Sequence, residues 1–236
     1  MARQETRKVV CHLGKFKAGQ LTGVQIHHQR ERESRTNPDI DRSRSHLNYD
    51  LHNEEPIKFL REAKKRIEKA PKARVRKDSV FIVEAEISAG KKFWANASKE
   101  EQERFFKESY EFLADRYGRQ NVVYAIVHND EATPHMHFGF VPITEDGRLN
   151  AKDAVMNRKE LARIHKELFE HLRDRGLDVE RGEPAKEKHI QPQRWKYEQE
   201  KEKLRQVSKH LEQTKHALER HTEALRGING LERWID

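Results

Sequence analysis

Three histidines and two carboxylates fall within one short stretch, His128-Asn129-Asp130-Glu131-Ala132-Thr133-Pro134-His135-Met136-His137. Imidazoles and carboxylates are the ligand types of divalent-metal sites, and the spacing here is His-x6-His-x-His. In His135-Met136-His137 the two rings flank one apolar residue, so on a strand they point to the same face. The residues Asn129 to Pro134 are turn chemistry, and Pro134 favours an extended approach to His135. If Val122–Val127 and His135–Val141 pair as a hairpin, His128 comes level with the other two histidines. Three neutral imidazoles with Glu131 beside them then form a divalent-metal site with open coordination positions. The lack of thiolates argues against a closed structural zinc site, and the spacing alone does not choose among Zn, Mn and Mg.

Several elements must position that stretch. Lys8–Phe16 is rich in β-branched residues and predicts a first strand. A glycine-bracketed loop follows, then a short helix over Val24–Arg32, on which His27 and Arg30 share a face at i,i+3. Ser34–Leu51 has neither helical nor strand period and predicts a loop. Its interleaved Arg42, Arg44, His46, Asn48 and Tyr49 suit phosphate contact and base stacking, although a plain solvated loop has the same composition. Pro56–Ala70 reads as an amphipathic helix with Ile57, Leu60, Ala63, Lys64 and Ile67 along its stripe. Basic residues including Arg74, Arg76 and Lys77 lead into a strong strand, Ser79–Ile87. Arg74 and Arg76 share a face if the strand has already begun.

Phe93-Trp94 is placed in a polar loop. Ser98-Lys99-Glu100-Glu101 has the capping-box pattern and opens a helix that runs to Tyr117 and stops at Gly118. Phe105, Phe106, Tyr110, Phe112, Leu113 and Tyr117 supply its core stripe. The hairpin of the opening motif comes next, then a Glu145-Asp146-Gly147 turn and a loop through Val155. Asn157–Arg175 predicts another helix, with Leu161, Ile164, Leu168 and Leu172 inward, and Asp178–Gln193 is irregular. From Arg194 to about Arg226 runs one long polar helix. Its Leu204, Leu211, Leu218 and Leu225 recur every seven residues, with Val207, Thr214 and His221 at the companion positions, which fits a weak coiled-coil seam and equally a helix packed back on the domain. Helices against one antiparallel sheet, an α+β class, is the expected architecture.

The chain has 236 residues, enough for one good-sized domain and an appendage. Charged residues make up 37% and hydrophobic ones 34%, so part of the chain must lie outside any core. A net charge of +8 points to a polyanionic partner, nucleic acid first. The single cysteine, Cys11, excludes an internal disulfide. No apolar run can span a bilayer and no secretory leader is visible, which together predict a cytoplasmic protein without a transmembrane segment. There is no phosphate-cradling glycine motif of the Walker type.

The segment His128–His137, followed by Val141-Pro142, resembles the metal motif of the Mob/Pre (MobV) plasmid mobilisation relaxases, within the HUH endonucleases. Three more blocks match in the family's order: Ala18-Gly19 through His27-His28-Gln29-Arg30, Arg44–Leu51, and Arg76-Lys77-Asp78-Ser79-Val80. The likeness covers about residues 8–190. It implies a relaxase-type antiparallel sheet of about five strands, with residues 1–190 as the catalytic domain. Residues 191–236 are then a polar C-terminal helix, a coiled coil or the start of a dimerisation region. Family members usually carry a longer C-terminal region, so the chain reads as a short or truncated member.

The resemblance also implies a site- and strand-specific transesterase that nicks plasmid transfer-origin DNA, leaving a 3′-hydroxyl and a covalent 5′-phosphoryl link. The expected partners are single-stranded and hairpin DNA, with a homodimer through the C-terminal helix. The family pattern makes His27 the nucleophile, with Arg30 holding the phosphate. Most HUH enzymes use tyrosine, and Tyr49 is the rival. His128, His135 and His137 become the metal ligands, with Glu131 as a fourth ligand or as the base acting on the nucleophile, and Asp130 behind them. Mn2+ is the expected ion and Mg2+ the alternative, because three imidazoles suit Mn2+ better. Arg42, Arg44, His46, Asn48, Arg74, Arg76 and Lys77 are the expected DNA contacts. Rolling-circle replication initiators and single-strand transposases share this chemistry, and a metal-stabilised DNA-binding module without catalysis is the non-enzymatic alternative.

Overall fold

The computed structural model describes residues 6–33, 37, 39–155, 158–182 and 192–232. Residues 1–184 and 185–236 form two compact units. The first is built on strands β1 (Val9–Lys17), β2 (Tyr49–Asp50), β3 (Val80–Ala89), β4 (Val122–His128) and β5 (His135–Phe140). They form one sheet in the order β1-β3-β5-β4-β2, every pair antiparallel. The helices are α1 (Leu21–His28), α2 (Phe59–Lys69), α3 (Lys91–Asn96), α4 (Lys99–Tyr117), α5 (Ala151–Ala154) and α6 (Arg158–Asp174). This is the α+β architecture and the five-stranded sheet expected from the sequence.

Helices cover both faces of the sheet, which is why its central strands read as nearly continuous apolar runs. On one face Val83, Ala85, Ile87, Ala125, Val127, Met136, Phe138 and Phe140 meet Phe105, Phe106 and Leu113 of α4 and Ile164, Leu168 and Leu172 of α6. Tyr124 and Ile126 point to the other face, against Leu21 of α1 and Phe59, Ala63 and Ile67 of α2. Each fully buried leucine or phenylalanine contributes roughly 1.5–3 kcal/mol. The Ser98 hydroxyl accepts from the Glu101 amide while the Glu101 carboxylate accepts from the Ser98 amide, so α4 opens on the expected capping box. It closes at Gly118, whose φ of 83° favours glycine.

The hairpin β4–β5 has the register that brings the histidines together. His128 lies opposite His135, and Ile126 opposite His137. On the far side of β5, Glu86 lies opposite His137 and Ser88 opposite His135. Directly opposed residues share a face, so all three histidines project from the α1–α2 side of the sheet.

Some local expectations are corrected. The helix expected over Val24–Arg32 is Leu21–His28, because the chain turns out of helical geometry at Arg30. Phe93 is buried in the core from a short helix, α3, and does not lie in a loop. The loop through Val155 contains α5, capped by the Asn150 side chain. The aperiodic Ser34–Leu51 segment holds a 3-10 turn at Arg42–Leu47 and the edge strand β2, both too short to show a period. β3 begins at Val80, so Arg74, Arg76 and Lys77 lie in the preceding exposed loop and share no strand face. The Leu161 and Leu225 side chains and much of Asp178–Gln193 lie outside the described residues.

The second unit is the helix α7 (Pro192–Glu232). Its Leu204, Val207, Leu211 and Leu218 are between 65% and 69% exposed. Among the described residues no helix is long and apolar enough to cross a membrane.

Candidate active site and metal centre

Each histidine of the triad has one ring nitrogen committed to an oxygen that can only accept. His128 Nε2 donates to the His28 carbonyl at 3.0 Å, and His135 Nδ1 to the Thr133 carbonyl at 2.9 Å. His137 Nδ1 donates to Glu84 Oε1 at 3.1 Å. A neutral imidazole has a single N–H, so the opposite nitrogen of each ring keeps its lone pair. Those nitrogens are Nδ1 of His128 and Nε2 of His135 and His137.

Nδ1 of His128 and Nε2 of His135 are 3.4 Å apart. Two nitrogens on one ion at roughly 2.1 Å each would be separated by roughly 3–3.5 Å. Nε2 of His137 is buried without a hydrogen-bond partner, an arrangement that a bound cation would satisfy. Burial, reinforced by the neighbouring rings, holds the His128 pKa well below its ordinary value and lowers that of His135, which keeps both neutral. Glu131 Oε1 stands 3.8 Å from His128 Nδ1. His128, Glu131 and His135 offer one set of donor atoms within 4.8 Å of one another, and His27, His28, His128 and His137 a second that shares His128. Imidazoles with a carboxylate beside them are donor types that fit a divalent ion.

His27 stands at the mouth of this cluster, its ring centroid 5.7 Å from that of His128 and 6.3 Å from that of His137. Its Nε2 is 4.0 Å from Glu131 Oε1, and its side chain is 37% exposed, so a substrate can reach it. Burial, then the charges of His28 and Arg30, lower its pKa to about 4, leaving a neutral ring near pH 7.

Arg30 reaches the same place through a helix end. The Arg30 amide donates to the His27 carbonyl and the Glu31 amide to the Ile26 carbonyl, the double closure of a Schellman motif. Arg30 occupies the left-handed position that glycine usually takes, with φ 53°. Its guanidinium grips Asp130 at 2.9 and 2.7 Å, Glu131 at 2.8 Å and the His27 carbonyl at 2.7 Å. Ser45 Oγ adds a bond to Asp130 at 2.7 Å. Burial opposes ionisation of Asp130, but the bonds from Arg30 and Ser45 outweigh it and hold the carboxyl well below the carboxylate range. Burial also opposes ionisation of Glu131, which the bonds from Asn37 and Arg30 hold in its charged form.

The remaining sequence candidates are distributed unevenly. The segment bearing Arg42, Arg44, His46 and Asn48 is strapped to the hairpin turn. The Asp41 amide donates to the Asp130 carbonyl, and the Asn129 amide to Asn48 Oδ1, both at 2.8 Å. Arg42, Arg44 and His46 are exposed on that segment. Arg74, Arg76 and Lys77 precede the Val80 end of β3, whereas the histidines face Glu86 and Ser88. Val80 to Ser88 spans roughly 26 Å of strand, so these three cations are not brought to the cluster.

Tyr49 pairs with Val127 and packs into the α4-side core, on the opposite face of the sheet from the histidines. Burial, with Glu103 nearby, pushes its hydroxyl up to about 12. Sequence reasoning gave no role to Glu84, the buried carboxylate under His137, or to His28, whose ring stacks on His137 at 4.0 Å. The signal was available: a glutamate inside an apolar strand must find donors.

Comparison with known proteins agrees with this geometry. The family described as plasmid recombination enzyme (Mob_Pre) matches residues 6–197. A plasmid recombination enzyme of Bacillus thuringiensis is 41% identical over 228 residues, 95% of this chain and 51% of the relative. One of a Bacillus species is 46% identical over 190 residues, 79% of this chain and 45% of the relative. The chain thus spans about half the length of the curated relatives it matches. Among solved structures, the Mn-bound MobM relaxase domain in complex with plasmid pMV158 oriT DNA at pH 6.8 superposes with a TM-score of 0.76. It is 35% identical, with 80% of this chain and 98% of that domain covered. Sequence, fold and the arrangement of the histidines thus lead to one assignment: the chain belongs to the Mob/Pre plasmid recombination enzyme family.

Proposed function

We propose that the chain is a DNA relaxase that nicks one strand of a plasmid transfer origin by metal-assisted transesterification, with residues 1–190 as the catalytic domain. The observation that carries this is the meeting of His27 and the Arg30–Asp130–Glu131 network with a histidine cluster in which the free nitrogens of His128 and His135 stand 3.4 Å apart. His128, His135 and His137 would hold Mn2+, or alternatively Mg2+. That ion, when bound, would draw electron density from the scissile phosphate.

The protein's own groups supply the rest. Neutral His27 attacks phosphorus as the bond to the 3′-oxygen breaks, giving a histidine–5′-phosphoryl link and a 3′-hydroxyl whose proton comes from water. Arg30, already oriented by two carboxylates, neutralises charge on the phosphate. Glu131 faces the His27 ring and stabilises the positive charge that the ring gains. Arg42, Arg44, His46 and Asn48 flank the path of the strand, with the phosphate contacts carrying most of the affinity.

Incubating supercoiled transfer-origin plasmid with the protein tests the proposal. Open circles should form with Mn2+ and vanish with EDTA. Hairpin binding that is unaccompanied by metal-dependent nicking would instead mark a DNA-binding module.

The partner expectation extends to a second copy of the chain. Leu204, Leu211 and Leu218 recur at the heptad interval on an exposed helix, and burying such a seam against its equivalent is the ordinary way to remove it from water. Sedimentation equilibrium should show a dimer that Leu211→Glu weakens by about tenfold or more. A monomer at every concentration would end the idea.

A further inference from the structure

We infer that Glu84 is a positioning residue that fixes the orientation of the metal-binding histidines and ties the helix carrying the nucleophile to them. The inference rests on the metal-site proposal above. Glu84 lies on β3 and is 7% exposed. It sits opposite Gly139 of β5, which in turn sits opposite Tyr124 of β4. A Cβ at position 139 would come 2.2 Å from the Tyr124 ring, so the glycine is the gap that lets the tyrosine lie across the middle strand. The Tyr124 hydroxyl then donates to Glu84 Oε2 at 2.6 Å.

The same oxygen accepts from His28 Nε2 at 2.7 Å, and Oε1 accepts from His137 Nδ1 at 3.1 Å. Only a carboxylate can receive three donors on its two oxygens; a glutamine would turn an NH2 group toward one of them. The bond to His137 places that ring's proton on Nδ1 and leaves Nε2, buried without a hydrogen-bond partner, with a lone pair for a cation. The bond to His28 fixes the residue that stacks on His137 at 4.0 Å, whose carbonyl takes the His128 N–H. His27 is its chain neighbour. One buried carboxylate therefore controls His137 directly and reaches His128 and the nucleophile through His28.

Mn2+ affinity, measured on the full chain by titration with EPR detection of free ion, tests this, with Tm recorded for each variant. Glu84→Gln should weaken binding by about 10–100-fold. Glu86→Gln, which removes an equal charge from the same sheet face two residues along, should stay within about threefold. A carboxylate that merely filled space would lower Tm and leave Mn2+ affinity in place; wild-type affinity in folded Glu84→Gln overturns the inference. Wild-type protein that takes up no Mn2+ overturns the metal-site proposal and the inference with it.

Imidazole 15N spectra of the metal-free wild type give a second measurement that does not depend on any variant folding. His137 should carry its proton on Nδ1. A proton on Nε2 overturns the inference.

Discussion

Replacing His27 with alanine should abolish covalent capture of single-stranded transfer-origin DNA, lowering the rate by about a thousandfold or more. Tyr49→Phe should keep most of it. The two residues are separated by the sheet itself. Tyr49 follows the parity of Val127 into the α4-side core, while His27 looks onto the opposite face, where His128 and His137 stand. A phenol held near 12 by burial is also a poor nucleophile at neutral pH, whereas an imidazole lowered to about 4 is fully neutral there. The measurement is an SDS-resistant shift of a fluorescent oligonucleotide. Its acid lability gives a second reading, because a phosphoramidate hydrolyses in acid and a phosphotyrosine does not. An undiminished adduct from His27→Ala would remove the imidazole from the reaction.

Arg30 should show a split between stability and activity. Arg30→Ala leaves the Asp130 carboxylate, 0% exposed, without its main partner, at a cost of about 3 kcal/mol in urea unfolding. Strand cleavage should fall by about 10²–10³, the usual loss when an oriented charge is withdrawn from a transition state. Arg30→Gly should lose as much activity and yet unfold about 1 kcal/mol later than Arg30→Ala, since φ 53° suits glycine. Equal stabilities of the two variants would show that the left-handed backbone stores no strain. The arginine is retained at a position where local conformation favours another residue, as expected where strain serves a site.

The parts of this protein that were legible in its sequence are those whose physics is local. The capping box at Ser98, the stop at Gly118 and the His-x-His alternation each need only a few neighbouring residues to be read. Edge strand β2 escaped because two residues carry no period. Phe93 escaped because a helix of six residues is too short to show a period. Arg30 was expected beside His27 on a helical face, yet it arrives there through a helix terminus. The contacts that define the site are long-range: Arg30 and Asp130 are 100 residues apart in sequence, and His137 and Glu84 are 53 apart. No pattern in a single strand names such a partner. A buried charge in β3 showed only that one was needed.

The hairpin also sets a rule for how this chain can change in length. His135 and His137 alternate along β5 with Met136, Phe138 and Phe140 of the core. Inserting one residue between the two histidines would send one of them into the apolar layer and bring a hydrophobic side chain into the histidine cluster. The same insertion at the exposed 3-10 turn of Arg42–Leu47 would shift no strand of the hairpin. The histidine cluster therefore has an even–odd reading frame. Substitutions can be absorbed around it one at a time, but an odd insertion or deletion within β5 would damage core and chemistry in a single step.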